Sequence, residues 1–204
     1  MAPDPTVARS APLPGAVELS RRIGRVLATR DRVVLDRPGR AAAVLVPLYD
    51  RSGAPHLILT KRTSTLPAHP GQVSLPGGGR DPDDTDLRMT ALRETHEELG
   101  IEPALIEIVG ELDDVATFQS QFIVTPLVGV LRESPVTRPN PGEIDRVMEV
   151  AVAEVLAIDA RLPTSPTLRE LRYPLDGEDV WGATARILHD FSAIARRALS
   201  ATDE

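Results

Sequence analysis

Three glutamates in one helical stretch are the residues of this sequence best suited to chemistry. Residues 85–99 predict a helix, and Glu94, Glu97 and Glu98 lie three and four positions apart, so their carboxylates share one face. Like charges at that spacing repel by roughly 0.2–0.5 kcal/mol per pair, and the last turns of a helix already carry negative potential. A divalent cation would remove the repulsion, and carboxylate oxygens suit Mg²⁺ or Mn²⁺. On the helix alone, a solvated acidic face is the commoner explanation.

A glycine-rich turn before this helix favours a functional site over a solvated acidic face as the explanation for the three glutamates. Residues 76–79 read Pro-Gly-Gly-Gly, which permits tight backbone turns and lets main-chain N–H groups approach an anion. By itself such a turn carries little information. At a fixed distance from three crowded glutamates, it indicates a site where a divalent ion meets the phosphates of a substrate.

The turn and the helix together resemble the sequence box of the Nudix family. That box reads Gly, five residues, Glu, seven residues, and then Arg-Glu-apolar-x-Glu-Glu-x-Gly-apolar. Its second half is present at residues 93–101, with Thr95 in the apolar slot. The first half departs, because counting back from Arg93 places Thr85 where the box has Glu. A better match runs from Gly78 to Asp84, with one extra residue before Arg93.

The chain also resembles one subfamily, the coenzyme A pyrophosphatases. Their upstream signature is similar to Leu-Leu-Thr-x-Arg, followed at set intervals by Arg, Gly and Phe-Pro-Gly-Gly. Here residues 58–62 read Ile-Leu-Thr-Lys-Arg and residues 71–78 end in Leu-Pro-Gly-Gly. Pro67 stands where the second Arg is expected, which removes a cation from that position. Residues 179–185 look like the C-terminal region of the subfamily, so the resemblance runs from about residue 41 to 188.

The resemblance implies an α+β fold, a Nudix-type α/β/α sandwich with a mixed β-sheet. It implies Mg²⁺ or Mn²⁺ as cofactor and cleavage of coenzyme A to 3′,5′-ADP and 4′-phosphopantetheine. Bound divalent cations neutralise phosphate charge and lower the pKa of the attacking water. The small-molecule partner would be a nucleotide diphosphate.

Within that reaction, Glu94, Glu97 and Glu98 are the expected metal ligands. One of them, or a distal carboxylate such as Glu143, would be the general base. Arg93 is expected to orient a glutamate by reaching Glu97 one turn on, and Asp84 to hold the loop through Arg93. The candidate substrate-binding residues are Arg62, His69, Gln72, Gly77 and Gly78.

Two other functions stay open at this point. A Nudix hydrolase could act on another nucleoside diphosphate derivative, such as ADP-ribose, a dinucleoside polyphosphate or a damaged dNTP. A protein of a different class, a catalytically inactive nucleotide-sensing or protein-binding Nudix module, is the second alternative. The intact set of Arg93, Glu94, Glu97 and Glu98 argues against that module, since binding alone has no need of all four.

The elements that must position these residues follow from apolar patterning. Residues 41–48, 56–60, 105–112, 122–131 and 147–152 predict strands, and residues 17–27 and 180–199 predict helices that flank the central one. The order lacks strict β-α-β alternation, which favours a mixed sheet. Residues 1–15 predict a disordered leader and residues 16–204 a single domain. Trp181, the single tryptophan, is predicted to lie in the core.

Composition excludes several classes of protein. The net charge of −7 comes from 30 acidic and 23 basic residues, which argues against non-specific binding of nucleic acid or an anionic membrane. Without cysteine there are no disulfides, zinc–thiolate sites or Cys nucleophiles. No apolar run approaches the roughly 20 residues that span a bilayer. We therefore expect a cytoplasmic protein, and a homodimer stays open.

Overall fold

A computed structural model describes residues 12–65, 70–117 and 121–201. Its helices are α1 Ala16–Ala28, α2 Leu87–Leu99, α3 Val152–Asp159 and α4 Gly182–Ser200, with a short 3-10 helix at Pro103–Leu105. The strands are β1 Arg40–Arg51, β2 Ala54–Arg62, β3 Val73–Ser74, β4 Gly77–Gly79, β5 Ile106–Glu111, β6 Val115–Ala116, β7 Phe122–Leu131, β8 Ile144–Ala151, β9 Tyr173–Leu175 and β10 Glu178–Val180. The α+β architecture with a mixed sheet is as predicted.

Strand β1 is the centre of the main sheet. It runs parallel to β7 over its first nine positions, from Arg40↔Phe122 to Leu48↔Val130, and antiparallel to β2 only near its end. The outer strands β5 and β8 pair antiparallel with β7 and β2. Because β2 leaves β1 early, a fork opens between the two strands. Strands β3 and β4 enter this fork, β3 on β2 and β4 on β1.

The sheet separates two helical layers, and alternating residues of β1 show which face is which. Ala43, Leu45 and Tyr49 belong to a core that includes Ala91 and Leu99 of α2. The intervening residues, including Val46 and Leu48, belong to a larger core built with α1, α3 and α4. Two-residue alternation on a strand buried from both sides produces this α/β/α sandwich.

Several helices and strands begin or end at residues other than the predicted ones. Helix α2 begins at Leu87 rather than at residue 85, because the Asp86 carboxylate caps it by accepting the Met89 N–H at 2.8 Å. The strand predicted to end at Val152 stops at Ala151, and α3 follows directly. The closing helix starts at Gly182, since Val180 lies in a β9–β10 hairpin that the sequence pattern did not predict.

The predicted leader is only partly covered by the structure. Residues 12–15 form no helix or strand, and the preceding residues lie outside the described ones. Among the helices described, none combines the length and apolar character needed to cross a membrane.

Candidate active site

The C-terminal end of α2, the helix that carries the glutamates, is held by neighbouring backbone. Gly100 ends it in the left-handed conformation with φ +67°. The loop after β7 then covers the last turn, where the Arg138 N–H donates to the Leu99 carbonyl at 2.7 Å and the Asn140 N–H to that of Glu98 at 2.9 Å. The same loop brings Glu143 to the end of β2, where its carbonyl accepts the Thr63 N–H at 2.8 Å.

Strand β4 presses against the glutamates because it has no side chains. Gly77 has φ +146°, and a Cβ there would overlap the Ala43 carbonyl oxygen. A Cβ on Gly78 would lie 2.5 Å from the carboxyl carbon of Glu94. The Gly77 N–H donates to Glu98 Oε2 at 3.3 Å. The glycine run therefore lets backbone and carboxylates approach each other where any other residue would separate them.

Glu98 is the most buried member of the acidic cluster, with 2% of its surface exposed. Burial raises its pKa to about 8, against the opposing effects of the Gly77 N–H and of Arg62, whose Nη1 lies 3.7 Å from Oε1. The negative charges of Glu94 and Glu143 raise the pKa further. Glu98 is thus a carboxyl whose ionisation needs additional positive charge nearby.

The other acidic side chains share this electrostatic environment. Burial raises the pKa of Glu94 despite its contact with Arg93, and the charges of Glu97 and Glu143 add to the effect. Glu97 is the exposed member, and its Oε2 accepts from Arg93 Nη1 at 3.1 Å. The three predicted ligands and the distal candidate Glu143 therefore influence one another, as a shared site requires.

The chemistry of this donor set suits a hard divalent cation, because carboxylate oxygens are the ligands that Mg²⁺ and Mn²⁺ prefer. Across the described ranges, no group of three Asp, Glu, His or Cys side chains is already arranged to hold a metal ion. The fit is therefore one of composition and charge, because a cation between these carboxylates would offset the burial and the neighbouring charges that raise the pKa of Glu94 and of Glu98.

Arg93 links the helix, the glycine strand and the intervening loop. Its Nε and Nη2 donate to the two oxygens of Asp84 at 3.0 Å, and Nη2 also donates to the Gly79 carbonyl at 3.1 Å. Its Nη1 reaches Glu94 at 3.0 Å as well as Glu97. These contacts are the ones predicted for Arg93 with Glu97 and Asp84. The bidentate pairing lowers the pKa of Asp84, which also accepts the Thr90 hydroxyl at 2.8 Å.

The other residues singled out in the sequence do not all lie beside the acidic cluster. Arg62 lies beside Glu98, and its N–H donates to the Gln72 carbonyl at 3.0 Å. The Gln72 side chain lines a cavity at the start of α4, on the other face of the sheet. His69 lies outside the described residues. The core position predicted for Trp181 is wrong, since 46% of it is exposed at the rim of that same cavity.

Two arginines next to the cluster did not stand out in the sequence. A cavity of about 570 Å³ beside Glu94 is lined in part by Arg40, Arg80 and Phe122. The Arg40 guanidinium lies 4.2 Å above the Phe122 ring. Arg80 could have been noticed, because it directly follows the glycine run. Arg40 could not, because it enters the site only through the register of the parallel β1–β7 pair.

Comparison with known sequences agrees with the geometry. The family model for the NUDIX domain matches residues 39–171. An uncharacterized Nudix hydrolase NudL from Enterobacter sp. (strain 638) is 40% identical over 166 residues, covering 79% of this chain and 84% of that protein. The peroxisomal coenzyme A diphosphatase NUDT7 of Mus musculus is 44% identical over 108 residues, covering 53% of this chain and 45% of that protein.

Solved structures support the fold. The crystal structure of a NUDIX hydrolase from Alicyclobacillus acidocaldarius superposes with a TM-score of 0.55 at 19% identity, covering 82% of this chain and 98% of that one. At that identity the likeness concerns the fold alone. It confirms the α/β/α sandwich with a mixed sheet that the motif resemblance implied.

Proposed function

The chain belongs to the Nudix family, and on that premise we propose that it hydrolyses coenzyme A or its derivatives to 3′,5′-ADP and 4′-phosphopantetheine with Mg²⁺ or Mn²⁺. Nudix hydrolases act on diphosphate linkages of small nucleotide derivatives and generally need such a metal. The observation that carries the proposal is the acidic cluster of Glu94, Glu97, Glu98 and Glu143 against the side-chain-free strand Gly77–Gly79.

The proposed reaction transfers a phosphoryl group to water. An oxygen of water forms a bond to one phosphorus, the bridging P–O bond breaks, and the leaving phosphate keeps its electron pair, while the proton of the water passes to a base. Glu94, Glu97 and Glu98 would hold the divalent cation, which when bound neutralises phosphate charge and makes water more acidic. Glu143 or one of those three accepts the proton, and Arg93 positions Glu94 and Glu97.

The choice of coenzyme A rests on two sequence likenesses. Residues 58–62 and 71–78 follow the upstream signature of the coenzyme A pyrophosphatases, and Arg62 of that signature lies next to Glu98. The mouse relative named as a coenzyme A diphosphatase is the second support. The predicted cytoplasmic location and the homodimer stay predictions.

Product analysis tests the proposal directly. We expect purified protein with coenzyme A and Mg²⁺ or Mn²⁺ to yield the masses of 3′,5′-ADP and 4′-phosphopantetheine. A chelator should stop the reaction and added Mn²⁺ should restore it. Faster turnover of ADP-ribose, a dinucleoside polyphosphate or a damaged dNTP would replace coenzyme A as the substrate. No turnover of any diphosphate compound would favour the inactive binding module.

A further inference from the structure

An uncharged cavity lies on the sheet face opposite α2, and the proposed reaction does not yet use it. It measures about 350 Å³, within the usual size of ligand sites. Val44 and Leu75 form its floor on the sheet side, and the first turn of α4 with Ile187 forms the opposite wall. Leu168 and Trp181 stand at its rim with 45% and 46% of their surfaces exposed. Exposed apolar side chains around a concave site are typical of a ligand-binding surface.

The lining of the cavity favours an uncharged ligand over a charged one. Each residue that lines the cavity, within the described ranges, is uncharged. At the rim, the Arg172 guanidinium lies 5.9 Å from the Trp181 ring and pairs with Asp179 at 2.6 Å. No side chain of this described lining carries a positive charge that could pair with a buried phosphate. Amide groups are better matched, because Gln72, Ser74 and Thr184 supply polar atoms.

The start of α4 adds hydrogen-bond donors to this lining. The helix begins at Gly182 with no side-chain cap, so its first N–H groups are not satisfied by a capping residue. Such donors suit the carbonyl oxygens of a ligand amide. Apolar walls together with scattered amide partners fit a flexible, uncharged chain that contains amide bonds.

One short segment of the chain borders both the cavity and the acidic cluster. Leu75 at its floor is two residues before Gly77, whose N–H contacts Glu98. Gln72 accepts the Arg62 N–H, and Arg62 lies beside the same glutamate. The segment 72–78 therefore lines the cavity at one end and forms, at the other, the glycine strand where the proposed diphosphate would lie.

The other end of the glycine strand leads to charged surroundings. Gly79 borders the second cavity, whose lining holds three arginines, Arg40, Arg80 and Arg93, and two acidic residues, Asp81 and Glu94. Arg80 donates to the carbonyl oxygens of Asp84 and Thr85, which carry no formal charge. The two ends of β4 thus differ: one leads to a lining without charged side chains, and the other to a lining in which arginines outnumber acidic residues. This difference complements the two halves of coenzyme A, an uncharged amide-containing arm and an anionic nucleotide.

We propose that the cavity at Leu168 and Trp181 binds the pantetheine arm of the substrate, which directs the nucleotide half towards Arg40 and Arg80. This orientation rests on the proposed coenzyme A substrate. It assigns Trp181, Leu168 and Gln72 as residues that determine substrate specificity.

Calorimetric titration with each half of the substrate tests the orientation without requiring turnover. The variants are Trp181→Ala and Leu168→Ala, and Leu105→Ala is the matched control, because Leu105 is 59% exposed and lies outside the cavity. With Mg²⁺ present, we expect Trp181→Ala to raise the Kd of 4′-phosphopantetheine about tenfold and Leu168→Ala to raise it about threefold. The Kd of 3′,5′-ADP should stay unchanged in all three variants.

Several results would overturn the orientation. Weakened binding of 3′,5′-ADP in Trp181→Ala with unchanged 4′-phosphopantetheine would reverse it. Unchanged Kd values for both halves, or no binding of 4′-phosphopantetheine to the wild type, would remove the cavity from the substrate site. Circular dichroism and Tm confirm that each variant is folded. Failure of the proposed function shows separately, as wild-type protein that forms no products from coenzyme A.

Discussion

At the scale of single residues, Glu98 is the most buried glutamate of the acidic cluster, and burial raises its pKa to about 8. We predict that Glu98→Gln lowers kcat for coenzyme A by about 10²–10⁴-fold. Glutamine keeps the size of the side chain and an oxygen that can accept the Gly77 N–H, so the fold should persist while the negative charge is lost. Initial rates with saturating Mg²⁺ measure the effect. Glu97→Gln should have an effect of the same order.

The matched control for this prediction is Glu102→Gln. Glu102 is an exposed glutamate just beyond α2, outside the acidic cluster. It should retain wild-type rates. A Glu98→Gln enzyme that is as active as this control would remove Glu98 from the site.

Arg93 acts on the site through the residues that it holds. We predict that Arg93→Lys and Asp84→Asn each lower kcat by about tenfold or more. The lysine ammonium cannot reproduce the bidentate contact with Asp84 together with the Gly79 contact. The asparagine removes the charged partner of the same bidentate contact. The double variant should be little worse than either single one. A double-mutant cycle on kcat and on the free energy of unfolding measures this coupling. Strictly additive losses would show that the two residues act independently.

At the scale of elements, β4 is the strand whose sequence is most constrained. Gly77→Ala should lower the free energy of unfolding by about 2–4 kcal/mol, because it combines a positive φ with an overlap between the new Cβ and the Ala43 carbonyl. Gly53→Ala is the control, since Gly53 has φ +79° and no atom within 4 Å of the place that a Cβ would take. That change should cost about 1 kcal/mol. Urea unfolding measures both, and equal losses would contradict the steric argument.

The elements differ in how far the sequence alone could predict them. Apolar runs with β-branched residues predicted β1, β2 and β7, and the glycine at position 100 predicted the end of α2. Helix α3 was missed because Val152 continues the apolar run of β8, and a short apolar run has no period that separates strand from helix. The hairpin β9–β10 has strands of three residues, too short for alternation to appear.

At the scale of the whole molecule, the proposed substrate site involves both faces of the sheet. The acidic cluster lies with α2 on one face, and the uncharged cavity lies with α4 on the other. The segment of β3 and β4, which enters the fork between β1 and β2, borders both: Leu75 lines the cavity, and the Gly77 N–H contacts Glu98. Sequence spacing could predict the three glutamates of the acidic cluster that lie on one helix. It could not predict the cavity, whose walls come from segments far apart in the chain, such as those of Ser74 and Thr184.

The α3–α4 side of the molecule is held by one buried carboxylate. Asp159 at the end of α3 accepts the Tyr173 hydroxyl at 2.6 Å and His189 Nδ1 at 2.7 Å, and it also pairs with Arg196. Its side chain therefore connects α3, β9 and two turns of α4. Burial opposes the charge of Asp159, but the three hydrogen bonds outweigh burial and lower its pKa.

This arrangement predicts how stability depends on pH. A carboxyl whose pKa is lower in the folded state than the ordinary value of about 3.9 stabilises the fold above that value, and the contribution is lost as pH falls towards the folded pKa. Asp159→Asn should therefore lower the free energy of unfolding by about 2 kcal/mol near pH 7, and its deficit against the wild type should shrink as pH falls below about 5. Asp31→Asn, at an exposed position, should match the wild type throughout. Urea titrations at several pH values measure the difference, and a deficit that stays constant down to about pH 3 would show that the ionised carboxylate is not what joins α3 to α4.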